Sequence, residues 1–136
     1  MSTDLERAKA RLTGDTTCAL CKENRLYETQ KRGVAPLLEW IENGVDLQGF
    51  SAADKVVGKA AAFLYVIMGV KSVYANVISE PALKTLQRFH VQTEYAQIVP
   101  SIRNRTNTGF CPMETAVWEI DEPTVAYNIL KEKTSV

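Results

Sequence analysis

The chain has 136 residues, a usual size for one domain, and we expect residues 1–136 to form a single one. Apolar residues make up 46% of it, enough to bury a core without disulfide or metal staples and too many for a disordered chain. Sixteen basic residues offset sixteen acidic ones, so no global field steers nucleic acid or an anionic membrane, and neither is expected as a partner.

The polar start MSTDLERAKARL lacks the apolar stretch of a signal peptide. The long apolar run 56–70 contains Lys59 and is too short to span a bilayer. Three cysteines, Cys18, Cys21 and Cys111, with no export signal, point to the cytoplasm as the expected compartment.

In chain order, residues 3–13 read as a helix with Leu5, Ala8 and Leu12 on one face, stopped by Gly14. Residues 16–21 and 25–29 read as a hairpin around the turn Lys22-Glu23-Asn24, and 36–43 as a short helix with Leu37, Leu38 and Ile41 inward. Ser51-Ala52-Ala53-Asp54 matches the S-x-x-[DE] capping box. It predicts the start of a helix, apolar nearly all round, that runs from 54 to Met68 and ends at Gly69. Residues 71–78 read as a core strand, Ser79 as the cap of a helix over 80–89, and 91–99 as the next strand. The polar stretch 101–109 reads as a loop. Cys111-Pro112 and Glu122-Pro123 then open two further helices, proline being favoured at the first helical position. Strands alternating with helices late in the chain predict an α/β fold, a three-layer α/β/α arrangement around a mixed sheet of four or five strands.

In α/β sheets ligands sit beyond the carboxyl ends of strands, where helix N-termini converge. Two such starts carry polar chemistry here: Asp54-Lys55 with Lys59 one turn on, and Cys111-Pro112-Met113-Glu114. A cysteine at a helix N-terminus suits a thiolate ligand or nucleophile. Lys59 interrupts a buried run and needs a partner, for which Glu114 and Asp54 are candidates, or a ligand anion. Arg105, in the loop before the second start, is a candidate phosphate contact. Cys18 and Cys21 have C-x-x-C spacing, but residues three apart on a strand point to opposite faces, which argues against a shared redox or metal role.

The stretches SAADKVVGKAAA, VISEPAL and TGFCPMETAV resemble a bacterial domain-of-unknown-function family with the cytidine-deaminase-like fold, over residues 5–131. That resemblance implies comparison with the zinc deaminases, which place His-x-Glu (or Cys-x-Glu) at the start of a central helix and Pro-Cys-x-x-Cys at the start of another. Cys111-Pro112-Met113-Glu114 keeps the second spacing with Glu114 in place of the second cysteine. Matching Asp54 to the histidine leaves Val56 at the glutamate position; matching it to the glutamate leaves Ala52 at the histidine position. The standard zinc set is therefore incomplete. The resemblance implies instead a site in which Asp54, Cys111 and Glu114 hold a harder divalent metal such as iron or manganese, or form a metal-free polar pocket.

The functional expectation is a small-molecule site for a nucleotide-like or other polar metabolite, with non-standard metal-assisted hydrolysis as its chemistry. Cys111, Asp54 and Lys59 are the candidate catalytic groups, Lys55, Glu114 and Arg105 the ligand contacts, and Cys111, Glu114 and Asp54 the metal ligands. The alternative expectation is a metal-free, catalytically inactive sensor or interaction module. Deaminase-like domains often associate, so a homo-oligomer is also expected.

Overall fold

The computed structural model describes residues 3–102 and 111–134. Helix α1 (Asp4–Ala10) leads into the antiparallel hairpin β1 (Cys18–Lys22) and β2 (Arg25–Thr29), then α2 (Ala35–Glu42). Two strand–helix units follow, β3 (Ser51–Val57) with α3 (Lys59–Met68) and β4 (Ser72–Ser79) with α4 (Glu80–Arg88). Strand β5 (Gln92–Val99) and helices α5 (Pro112–Val117) and α6 (Pro123–Thr134) complete the chain.

The five strands form one mixed sheet in the order β2-β1-β3-β4-β5. Strand β1 runs antiparallel to β2 and β3, whereas β3, β4 and β5 are mutually parallel, each joined to the next by a helix. Helix α1 packs against β1, β3 and β4, where Ala8, Cys21 and Ala53 form a small cluster. On the other face α2–α6 enclose the main core, built on Leu20, Ala52, Val73, Ala75 and Ile78 of the sheet and Phe63, Leu64 and Leu86 of the helices. The expected α/β architecture with helices on both faces is thus present.

Local signals hold at most element ends. Ser79 caps α4, its Oγ accepting the Ala82 N–H at 3.2 Å. Gly69 ends α3 in the left-handed region, φ 76°, returning its N–H to the carbonyls of Tyr65 and Val66. Asp4 fastens α1 to the hairpin by accepting the Glu23 N–H at 3.0 Å. Cys18 and Cys21 fall in different clusters on opposite faces of the sheet, as the strand geometry predicts.

One element differs. The predicted helix over 54–68 is a strand and a helix in succession: Ser51–Val57 is β3, and α3 begins only at Lys59. Ser51 is not a helix cap; it is fully buried and accepts the Ser72 hydroxyl at 2.7 Å across the β3–β4 pair. An unbroken apolar run fits a buried parallel strand as well as a buried helix, and periodicity alone does not separate them. Gly58, in extended conformation, marks the true boundary.

Candidate functional site

The strand assignment relocates Asp54. It lies on β3 opposite Cys18 of β1, and its neighbour across β4 is Ala75. Asp54 Oδ2 accepts the Tyr65 hydroxyl of α3 at 2.6 Å, and Oδ1 accepts the Val56 N–H at 3.3 Å. Cys18 Sγ stands 3.1 Å from the same hydroxyl. The single phenolic proton is directed to Asp54, so the thiol donates to the tyrosine oxygen and the chain runs Cys18 to Tyr65 to Asp54. Burial raises the Asp54 carboxyl to about 6, opposed by the Tyr65 and backbone hydrogen bonds. Burial likewise pushes the Cys18 thiol and the Tyr65 phenol well up, each reinforced by the charge of Asp54. Its raised carboxyl suits Asp54 to exchange a proton near neutral pH, whereas the other two stay protonated.

A cavity of about 790 Å³ opens beside this network. Cys18, Asp54 and Lys55 line it together with Arg32, Cys111 and Glu114, and its apolar wall includes Val34, Leu37 and Met113. Lys55 Nζ donates to the Gly14 carbonyl at 2.9 Å, and among the described residues neither Lys55 nor Arg32 appears in an ion pair. Two cations thus line the cavity without an ion-pair partner among the described residues.

Glu114 is 2% exposed, and both of its carboxylate oxygens are taken up by backbone N–H groups. Its Oε1 accepts the Lys59 N–H at 2.7 Å and its Oε2 the Ala60 N–H at 2.8 Å, so one carboxylate closes the free N-terminus of α3. Gly58 is required there: a Cβ at that position would meet the carboxylate carbon at 2.4 Å. Burial raises the Glu114 carboxyl, while the two backbone N–H groups and the Lys59 charge oppose the rise. Lys59 turns its ammonium to the Trp118 carbonyl at the end of α5, 2.7 Å away, rather than toward Asp54 or Glu114. The side chains of Lys59 and Glu114 each stabilise the end of the other's helix.

The structure brings the expected site residues together in part. Asp54, Lys55, Cys111 and Glu114 do share one cavity. Asp54, Cys111 and Glu114 do not converge as a ligand set, since no three Cys, His, Asp or Glu side chains among the described residues are placed to hold a metal ion. The first turn of α3 carries Lys59, Ala60 and Ala61, so neither alignment of Asp54 with a deaminase ligand position applies. Asp54 does not cap a helix. Lys59 meets the Trp118 carbonyl rather than the carboxylate of Asp54 or Glu114, and Glu114 caps α3. Cys111 is the N-cap residue of α5, with no side-chain capping bond. Arg105 lies outside the described residues. Tyr65 escaped the reading of the sequence, and Cys18 was weighed there only as half of a C-x-x-C pair. Tyr65 had one available signal, a hydroxyl inside an otherwise apolar helix that must find a partner when buried.

The model of the family described as "Domain of unknown function (DUF1893)" matches residues 8–134. A crystal structure of a DUF1893 family protein from Thermotoga maritima superposes with a TM-score of 0.82 at 29% sequence identity, covering 88% of this chain and 81% of that one. No curated protein matches the chain. With its family model spanning nearly every residue and a solved relative sharing the architecture, the chain belongs to the DUF1893 family.

Proposed function

We propose that this protein binds a small polar molecule in the cavity beside β3, with Asp54 as the acceptor that faces it. The observation that carries this reading is the placement of a buried carboxyl, raised to about 6, in the lining of a 790 Å³ cavity. A titratable group perturbed by burial in the lining of a cleft is a candidate functional position. The ligand presents a hydrogen-bond donor, an amide, amine or hydroxyl, to Asp54, and an anionic group to Lys55 and Arg32. The apolar wall accommodates a flat or aliphatic body between them. Nucleotide-like metabolites meet all three demands. The deaminase-like fold class is consistent with this reading, because α3 and α5 begin side by side at the cavity, as the two ligand-bearing helices of zinc deaminases do.

The reading includes no metal step. Both Glu114 oxygens already accept backbone N–H groups, and Asp54 is turned to Tyr65. If the site performs chemistry, Asp54 is its proton acceptor. Cytoplasmic residence belongs to the same proposal; no helix among the described residues is long and apolar enough to cross a membrane. A sensor without chemistry is the second reading, favoured by the absence of any ligand-type side chain in the first turn of α3.

The test is a thermal-shift screen of nucleotides, amino acids and sugar phosphates, followed by amide-shift mapping by NMR. The expected result is a ligand that stabilises the wild type, shifts residues 54–60 and 111–114, and loses most of its effect in Asp54→Asn and Arg32→Ala. A ligand whose shifts map elsewhere overturns the reading. So does stoichiometric metal in the purified protein that disappears in Cys111→Ser.

A further inference from the structure

Tyr65 joins two polar groups inside the core. Its side chain is fully buried on α3, and its hydroxyl stands 2.6 Å from Asp54 Oδ2 on β3 and 3.1 Å from Cys18 Sγ on β1. Cys18 is buried as well, and either atom of the Cys18–Tyr65 pair can be the donor. Asp54 and Cys18 line the cavity and Tyr65 does not, so the phenol works from behind the wall. Strand β4 presents only Ala75 to Asp54. Asp15, Lys31, Arg32, Lys55, Cys111 and Glu114 line the same cavity, and among the described residues none of their side chains is hydrogen-bonded to the Asp54 carboxyl.

With Asp54 ionised, Tyr65 donates to Oδ2 and the Cys18 thiol to the phenolic oxygen. A proton arriving at Asp54 has two oxygens to choose from. On Oδ1 its hydrogen would compete with the Val56 N–H that this oxygen accepts at 3.3 Å. On Oδ2 it finds the Tyr65 oxygen as an acceptor at 2.6 Å, once the phenol turns its own hydrogen to the sulfur. The hydrogen left without a partner is then that of the thiol, the weakest donor of the three and the cheapest to leave unpaired.

We infer that Tyr65 and Cys18 are positioning residues that receive the Asp54 proton on the Oδ2 side, by reversing the direction of their two hydrogen bonds, and so keep Oδ1 an acceptor toward the cavity in both protonation states. One proton enters Asp54 from solvent; the phenol and the thiol keep theirs and only turn them. The raised carboxyl, at about 6, brings both states within reach near neutral pH. This inference rests on the ligand site proposed above and narrows its ligand. A neutral donor, an amide or a hydroxyl, finds an acceptor at Oδ1 whether or not Asp54 is ionised. An ammonium group loses the opposing charge once Asp54 is neutral, and it shares the cavity with Lys55 and Arg32.

Infrared spectroscopy of the S–H stretch tests the reversal without a ligand, in the full chain carrying Cys21→Ala and Cys111→Ala so that Cys18 is its one thiol. A donating thiol absorbs at lower frequency than a free one. The band is expected to move up as pH falls, with the same midpoint as the Asp54 carboxyl followed by carbon NMR. Tyr65→Phe should abolish that movement while Asp54 still titrates. If the double variant does not fold, the step is read in the wild type, as the part of its pH-difference spectrum that Cys18→Ala removes. A thiol band that stays in place while Asp54 titrates puts the proton on Oδ1 and overturns the inference. So does a band that moves equally in Tyr65→Phe, or an Asp54 that keeps one charge state throughout. A screen that returns no ligand counts against the proposed site, and the thiol band decides the reversal separately.

Discussion

Because burial raises the Asp54 carboxyl from 3.8 to about 6, the folded chain holds this proton more tightly than the unfolded chain does. The sign of the linkage follows. The contribution is fully present below the unfolded value and is lost as pH rises through the folded one, a swing of about 3 kcal/mol at 1.36 kcal/mol per unit. Other carboxyls act in both directions: Glu114 is raised by its burial, whereas backbone and lysine contacts lower Asp4 and the Arg11 bond lowers Glu28. The informative quantity is therefore the difference between wild type and Asp54→Asn in urea unfolding at each pH. Wild type should lose stability relative to the variant between about pH 4 and pH 7. A difference that does not change across that window would show that Asp54 is not desolvated as described. Tyr65→Phe removes a bond that holds the carboxyl down, so the Asp54 midpoint followed by carbon NMR should move further up from about 6. Asp54 was legible in the sequence as an acid near a candidate site. Its partners were not, because Tyr65 and Cys18 lie 11 and 47 residues from the groups they meet.

At the scale of elements, the junction of β3, α3 and α5 depends on one carboxylate filling one glycine-lined gap. Gly58→Ala forces that carboxylate away from two N–H groups and should cost about 2 kcal/mol or more, through steric strain and unmade hydrogen bonds. Glu114→Ala reaches the same N–H groups by deletion and should destabilise by a similar ~2–4 kcal/mol, with Glu114→Gln intermediate because one acceptor oxygen remains. Urea midpoints of the single and double variants check the coupling. If the two losses simply add, the carboxylate and the glycine act independently and the described junction is wrong. The start of α3 was misplaced in the sequence reading for a related reason. Ser51-Ala52-Ala53-Asp54 satisfies a local capping pattern, yet the pairing of β3 with β1 and β4 supplies a ladder on both sides that a helix there would forfeit. A non-local gain outweighed a local preference.

Across the whole molecule, stability is expected to be graded from the sheet centre outward. Strands β3 and β4 are paired on both sides and covered by α3, whereas β2 and β5 are edges with mostly exposed side chains. Native-state hydrogen exchange should therefore show the slowest amides in β3, β4 and α3 and faster ones in β2 and α1. The opposite ranking of β3 and β2 would contradict the arrangement. The sequence by itself determined the α/β class, the Gly69 stop of α3, the Ser79 cap of α4, the hairpin, the opposed faces of Cys18 and Cys21, and the polar residues gathered near the cavity. Each follows from short-range rules: side-chain periodicity, capping, glycine's tolerance of positive φ, and the two-residue repeat of a strand. Only the tertiary structure decided that 51–57 is a strand, that Glu114 closes α3, that Lys59 caps α5, and that Asp54 shares a proton network with Tyr65 and Cys18. Those outcomes depend on which distant groups arrive at the same place, because a buried charge or backbone N–H takes whichever partner the packed fold brings within hydrogen-bonding reach.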